Sequence, residues 1–149
     1  MKKFVFTLQT LLNLKQSQEK QERNSLAALT VRLNQLLSER EDMLGRRERA
    51  SDTYGQRLAS GMRAAETQQY TAYFRMMKDL LAEQDRKIEA VRQETEECRH
   101  RLVEVLREIH MLENLREKQY QQYQQEVQIE QEKTIGDFVS YQTSQPPAD

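Results

Sequence analysis

The residue types that most often build a reactive centre are scarce in this chain: one cysteine, Cys98, and two histidines, His100 and His110. On a helix, residues two apart point to nearly opposite sides, whereas a helical metal pair needs a spacing of four. Cys98 and His100 therefore do not converge, and the simpler reading is a cysteine in a helix seam and two surface histidines. The sequence has no glycine-rich phosphate loop, no HExxH and no Ser-His-Asp order, so no catalytic, cofactor-binding or metal-ligating residue is expected. A lone cysteine also excludes an internal disulfide and fits a reducing compartment.

Charge offers the next candidates. Arg46, Arg47 and Arg49, with Arg40 and Arg57 nearby, could touch phosphates. Glu41, Asp42 and Glu48 interrupt the cluster, and no aromatic platform accompanies it, so a solvated, salt-bridged helix face is the better reading than nucleic-acid binding. Lys and Arg number 23 against 24 Asp and Glu, a net charge of −1, so no global field draws the chain to nucleic acid or anionic lipid.

The elements that position these residues follow from composition and period. Charged residues make up 32% of the chain and hydrophobic ones 37%; there is no Trp, and both prolines, Pro146 and Pro147, stand near the end. Long helices are the natural inference. The opening "MKKFVFTLQTLLNLKQSQEKQE" is neither a signal peptide nor a membrane span, because Thr7, Gln9, Thr10 and Asn13 interrupt its apolar residues and no small-residue cleavage site follows.

Heptad marking from Val5 gives a positions Val5, Leu12, Leu26 and Leu33 and d positions Leu8, Leu29, Leu36 and Met43, with a charged gap at Lys15, Glu19 and Glu22. A second register runs from Tyr70 to Leu112 with few polar interruptions, among them Gln84 and Thr95. Sustained apolar a and d positions argue for coiled coil. Gly55 and Gly61 lie between the two patterns and mark a turn. The fold class expected is all-α, a long antiparallel two-helix coiled-coil hairpin over residues 1–140. Helix one is placed at 4–58, the turn at 59–66, helix two at 67–134 and a disordered tail at 141–149. At 1.5 Å per residue the helices would be about 80 and 100 Å long.

One register pairs Leu26 with Cys98, Leu33 with Val91, Leu36 with Ile88 and Met43 with Leu81. A slip of one heptad pairs Leu12 with Val105 and Glu22 with Thr95 and is nearly as good, so the register stays open. Leu37 and Leu44 fall at e positions, and Tyr73 and Leu80 at g positions, toward the turn. They either widen the seam or form a partner surface.

The wording "KKFVFTLQTLLNLKQSQEKQE" closely resembles the start of the flagellar export protein FliJ family, and "LENLREKQYQQYQQE" resembles its C-terminal helix. The length and the central glycine-bearing break match too. The resemblance implies a non-enzymatic cytoplasmic component of the flagellar type III export apparatus, similar to the central stalk of rotary ATPases. Its partners would be the export ATPase ring and its regulator, the cytoplasmic part of the export gate, and export chaperones, with no nucleic acid. The inner membrane would be reached only through them. By the same resemblance, Leu37, Leu44, Tyr73 and Leu80 would meet the gate or a chaperone. The paired ends opposite the turn would enter the ATPase ring. Phe4, Phe6, Leu11 and Leu14 exceed what a seam there uses, and Arg116 and Lys118 supply charge for an acidic ring interior. The stalk of a virulence-type secretion system and a generic coiled-coil scaffold or chaperone are the alternatives.

Two seams that can satisfy each other across one turn predict a monomer. Sedimentation equilibrium of the isolated chain is expected to return the mass of one copy, 17.7 kDa. A mass of two copies would mean that the seams pair between chains.

Overall fold

A computed structural model of the chain describes residues 2–147. Two helices make up almost all of it, α1 (Gln9–Ser60) and α2 (Ala64–Ser144), and no strand occurs among the described residues. The helices pack against each other as an all-α hairpin. The chain divides into two compact units, Lys20–Val103 and the pair of segments Met1–Glu19 and Glu104–Asp149.

In the unit Lys20–Val103, the turn consists of Gly61, Met62 and Arg63. Gly61 has φ of +93°, and its N–H donates to the Leu58 carbonyl at 3.3 Å, so a residue without Cβ ends α1 in the left-handed region. Arg57 in the last turn of α1 bonds Glu66 in the first turn of α2 at 2.9 Å. Each side chain also opposes the partial charge of its own helix end. The turn is shorter than the expected 59–66, and Gly55 is not part of it: it lies inside α1 with open space around it.

The core of this unit is a single seam. Leu36, Met77, Leu81, Ile88, Cys98 and Leu102 are buried, as a and d positions require. The Tyr54 ring lies tilted against that of Tyr70 with centroids 5.0 Å apart, and Arg40 donates at 2.6 Å to Asp85. These partners belong to the register that pairs Leu36 with Ile88; slipped by one heptad, Arg40 would face Met77. Gln84, 3% exposed, donates to the Leu36 carbonyl at 2.9 Å and to the Glu39 carboxylate at 3.0 Å. Thr95 satisfies its hydroxyl on the Val91 carbonyl within its own helix.

The other unit is built differently. Helix one does not begin at residue 4. Residues 2–6 have no helical assignment, and the Gln9 N–H closes a turn onto the Phe6 carbonyl at 3.1 Å. The reason is packing. Two residues apart, Phe4 and Phe6 would diverge on a helix but share one side of an extended segment. Both lie inward: Phe6 forms a cluster with Leu12 and Ile109, with Phe4, Val105 and Leu112 around it. Val5 points outward at 75% exposure and is not the seam position that the heptad count made it. The Phe4 ring meets Tyr120 at 5.2 Å and Tyr123 at 5.6 Å, and the Tyr123 hydroxyl donates to the Lys2 carbonyl at 2.8 Å. Lys15, in the charged gap, forms an ion pair with Glu108.

Helix two also exceeds its expected bounds, starting at Ala64 and running past 134 to Ser144. Gln, Glu and Lys between 124 and 133 are strong helix formers, and one Gly136 costs only about 1 kcal/mol against Ala. The helix stops where Pro146 restricts Gln145. The tail expected to be disordered from 141 therefore begins as the last turn of a helix, and Ala148 and Asp149 lie outside the described residues.

The two central glycines predict opposite effects. Gly55→Ala is expected to stabilise by about 0.5 to 1 kcal/mol, because the helix interior admits a Cβ freely. Gly61→Ala is expected to destabilise by about 1 to 2 kcal/mol through its positive φ. Thermal or urea melts followed by circular dichroism at 222 nm check both signs.

Candidate partner surfaces

The residues most suited to chemistry do not assemble. His100 and His110 are exposed, and Cys98 is sealed in the seam. Its sulfur lies 3.4 Å from both the carbonyl and a carboxylate oxygen of Glu22, which also receives Arg101 Nε at 3.2 Å. Burial pushes the thiol pKa up, and the Glu22 carboxylate raises it further. A reactive cysteine needs the opposite environment, electropositive and partly exposed. Among the described residues, no group of three or more His, Cys, Asp or Glu could hold a metal ion. Surface, then, carries the candidate sites.

Toward the turn, Leu37 and Leu80 are exposed, and Leu44 and Tyr73 are half-buried. The four do not form one patch. Leu44 borders a shallow depression with Glu41, Arg47, Tyr54 and Phe74. Tyr73 borders another with Ala50, Arg57, Glu66 and Tyr70. Leu80 borders a third with Ala72, Met76 and Asp79. An e position of one antiparallel helix and a g position of the other flank opposite sides of the seam, which separates the leucines of α1 from Tyr73 and Leu80. The Tyr73 ring also meets that of its neighbour Phe74, which is itself half-buried, edge-on at 5.8 Å.

In the unit of the terminal segments, the candidates divide by direction. Leu11 and Leu14 are exposed, and Arg116 and Lys118 are on the surface. Phe4 is half-buried, and Arg116 shares a depression with it, Glu113, Glu117 and Tyr120. Phe6, at 5% exposure, is part of the core and offers nothing to a partner in this conformation. The sequence reading also missed exposed apolar residues here: Met111 at 70%, Leu115, and a group from Ile129 to Tyr141. All of the last group but Ile129 fell beyond the expected end of helix two at 134. Its signal was present in the spacing of Val127, Thr134, Phe138 and Tyr141, which recur at seven, four and three residues.

The family model described as flagellar FliJ protein matches residues 4–147 of the chain. The chain belongs to the FliJ family. Membership makes it a component of the flagellar protein-export apparatus, and the helical hairpin fits a coiled coil. No curated protein and no solved structure matches it. Among the described residues of this FliJ chain, no helix is long and apolar enough to cross a membrane.

The sealed thiol gives a direct test of the seam. Alkylation of Cys98 by iodoacetamide at pH 8 is expected to be slower in the native chain than in urea by a factor of about 100 or more, since modification must wait for the helices to part. Glu22→Ala lowers the opposing negative charge and opens the site, and is expected to speed the native reaction. Mass spectrometry of timed samples reads both rates.

Proposed function

We propose that the chain is a non-enzymatic stalk of the flagellar export apparatus. The unit formed by its terminal segments engages the export ATPase ring. The surfaces at Leu37 and Leu44 and at Tyr73 and Leu80 meet the cytoplasmic part of the export gate or a chaperone. In this reading the protein works in the cytoplasm, reaches the inner membrane only through its partners, and links ATP hydrolysis and proton motive force to protein export.

The observation that carries it is the distribution of apolar surface. Of the eighteen exposed large hydrophobic residues among those described, twelve belong to the smaller unit, that of the terminal segments. Scattered exposed apolar residues are ordinary, but this density marks a surface that another protein covers. Leu11 and Leu14 supply the anchors there, because they face out from the turn of α1 whose Leu12 faces in.

Leu11→Ser with Leu14→Ser tests the assignment without touching the core. Helicity and melting are expected to stay within about 1 kcal/mol of the parent, two surface changes each worth up to about 0.5 kcal/mol. Stimulation of the purified export ATPase and swimming in soft agar are expected to fall. Full stimulation by the double variant would move the ATPase contact away from this end. Deleting residues 1–14 is a poorer test, since it removes Phe6 and Leu12 and uncovers Ile109.

A further inference from the structure

Beyond the Tyr123 contact with Lys2, α2 continues for some twenty residues, and every one of them from Gln128 to Ser144 is exposed. This stretch is not polar all round. At 3.6 residues per turn, Val127, Thr134, Phe138 and Tyr141 fall on one side, with Ile135 beside them. Phe138 is 60% exposed and Ile135 63%. Glu126, Glu130 and Asp137 line one edge of that stripe, and no ion pair within the described residues engages their carboxylates. Lys133 is the one base between 124 and 144, and it lies behind the acidic edge.

From this arrangement we infer that residues 126–141 of α2 form a docking face for a basic amphipathic helix of another protein, which seats its apolar side on Phe138 and Tyr141 and sets Arg or Lys side chains against Glu126, Glu130 and Asp137. A helix laid on such a stripe reads spacings of three, four and seven residues, and charge along its edges selects the partner. A second copy of this chain fits poorly. An antiparallel self-pair would place acidic edge against acidic edge, and the opposite edge, with Gln128, Glu132 and Ile135, carries no base to complement it in a parallel pair. The proposal adds to the stalk reading a segment and a partner chemistry that Leu11 and Leu14 do not involve. The acidic character also runs against the sign expected from Arg116 and Lys118, so the two parts of this unit's surface suit different partner charges.

The test uses the full chain and two labelled synthetic helical peptides with the same leucine seam, one with Arg and Lys on its edges and one with Glu. Fluorescence anisotropy is expected to show the basic peptide binding about tenfold or more tighter than the acidic one, with the difference shrinking as salt rises. Phe138→Asp should weaken the basic peptide's binding about tenfold. The triple variant Glu126→Lys, Glu130→Lys, Asp137→Lys should reverse the preference, while Glu89→Lys, Glu94→Lys, Glu97→Lys, on an exposed face of the other unit, should leave it unchanged. Equal binding of the two peptides, or a preference that survives the first triple reversal, overturns the proposal. So does a parent chain that sediments as a dimer and reverts to a monomer with Phe138→Asp, because the face would then belong to a second copy.

Discussion

The structure depends on a single constraint: a pair of helices has one seam and no second layer. In a globular domain a misplaced side chain can be accommodated by neighbours on several elements, but here each buried residue has only the facing helix. Register must therefore be specified by more than apolar volume, because a heptad slip exchanges one leucine for another at little loss. The polar residues of the seam supply the specification. Gln84 reaches the Leu36 carbonyl and Glu39, and Glu22 gathers Arg101 and the Cys98 thiol. A slip would take the buried Gln84 amide away from these partners, and an unsatisfied buried polar group costs about 1 to 3 kcal/mol. None of the buried side-chain N and O atoms among the described residues lacks a partner.

This division of labour explains what the sequence disclosed. The positions buried from Met77 to Ile109 follow the heptad a and d positions of the sequence, including polar Gln84 and Thr95. A regular period is a strong signal because it repeats over many turns. Register was ambiguous because the count weighs apolar pairs and does not see which carbonyl a Gln84 amide can reach. The start of α1 was illegible for a related reason. Phe4, Val5 and Phe6 read as a helical face only if the chain is already helical, and their better use, two rings on one side of an extended segment, appears only once Ile109 and Tyr120 are brought alongside.

The candidate surfaces were partly legible. Leu11 and Leu14 were recognisable as more apolar area than a two-residue seam consumes. Phe6 belonged to the same excess by type and differs only in direction, which depends on the turn that the Gln9 N–H closes onto the Phe6 carbonyl. The end of α2 was lost because Glu126, Glu130 and Asp137 occupy the old a and d positions, so the count read a seam that had stopped. The apolar residues had moved to a neighbouring stripe. A change of stripe along one helix means that the surface to be covered has changed, and it falls where the chain's own segments no longer reach.

The short N-terminal segment thus does two things with alternate residues. Phe4 and Phe6 close the seam over Val105, Ile109 and Leu112, while Val5 and, a turn later, Leu11 and Leu14 remain outside. Moving the helix start forward to residue 4 would turn one of the two phenylalanines to solvent and leave part of the Ile109 cluster uncovered, so the extended entry is what allows both uses at once. In this unit the inward residues fix the place at which the outward ones are shown, so the packing of Phe6 on Leu12 sets how Leu11 and Leu14 are presented to solvent.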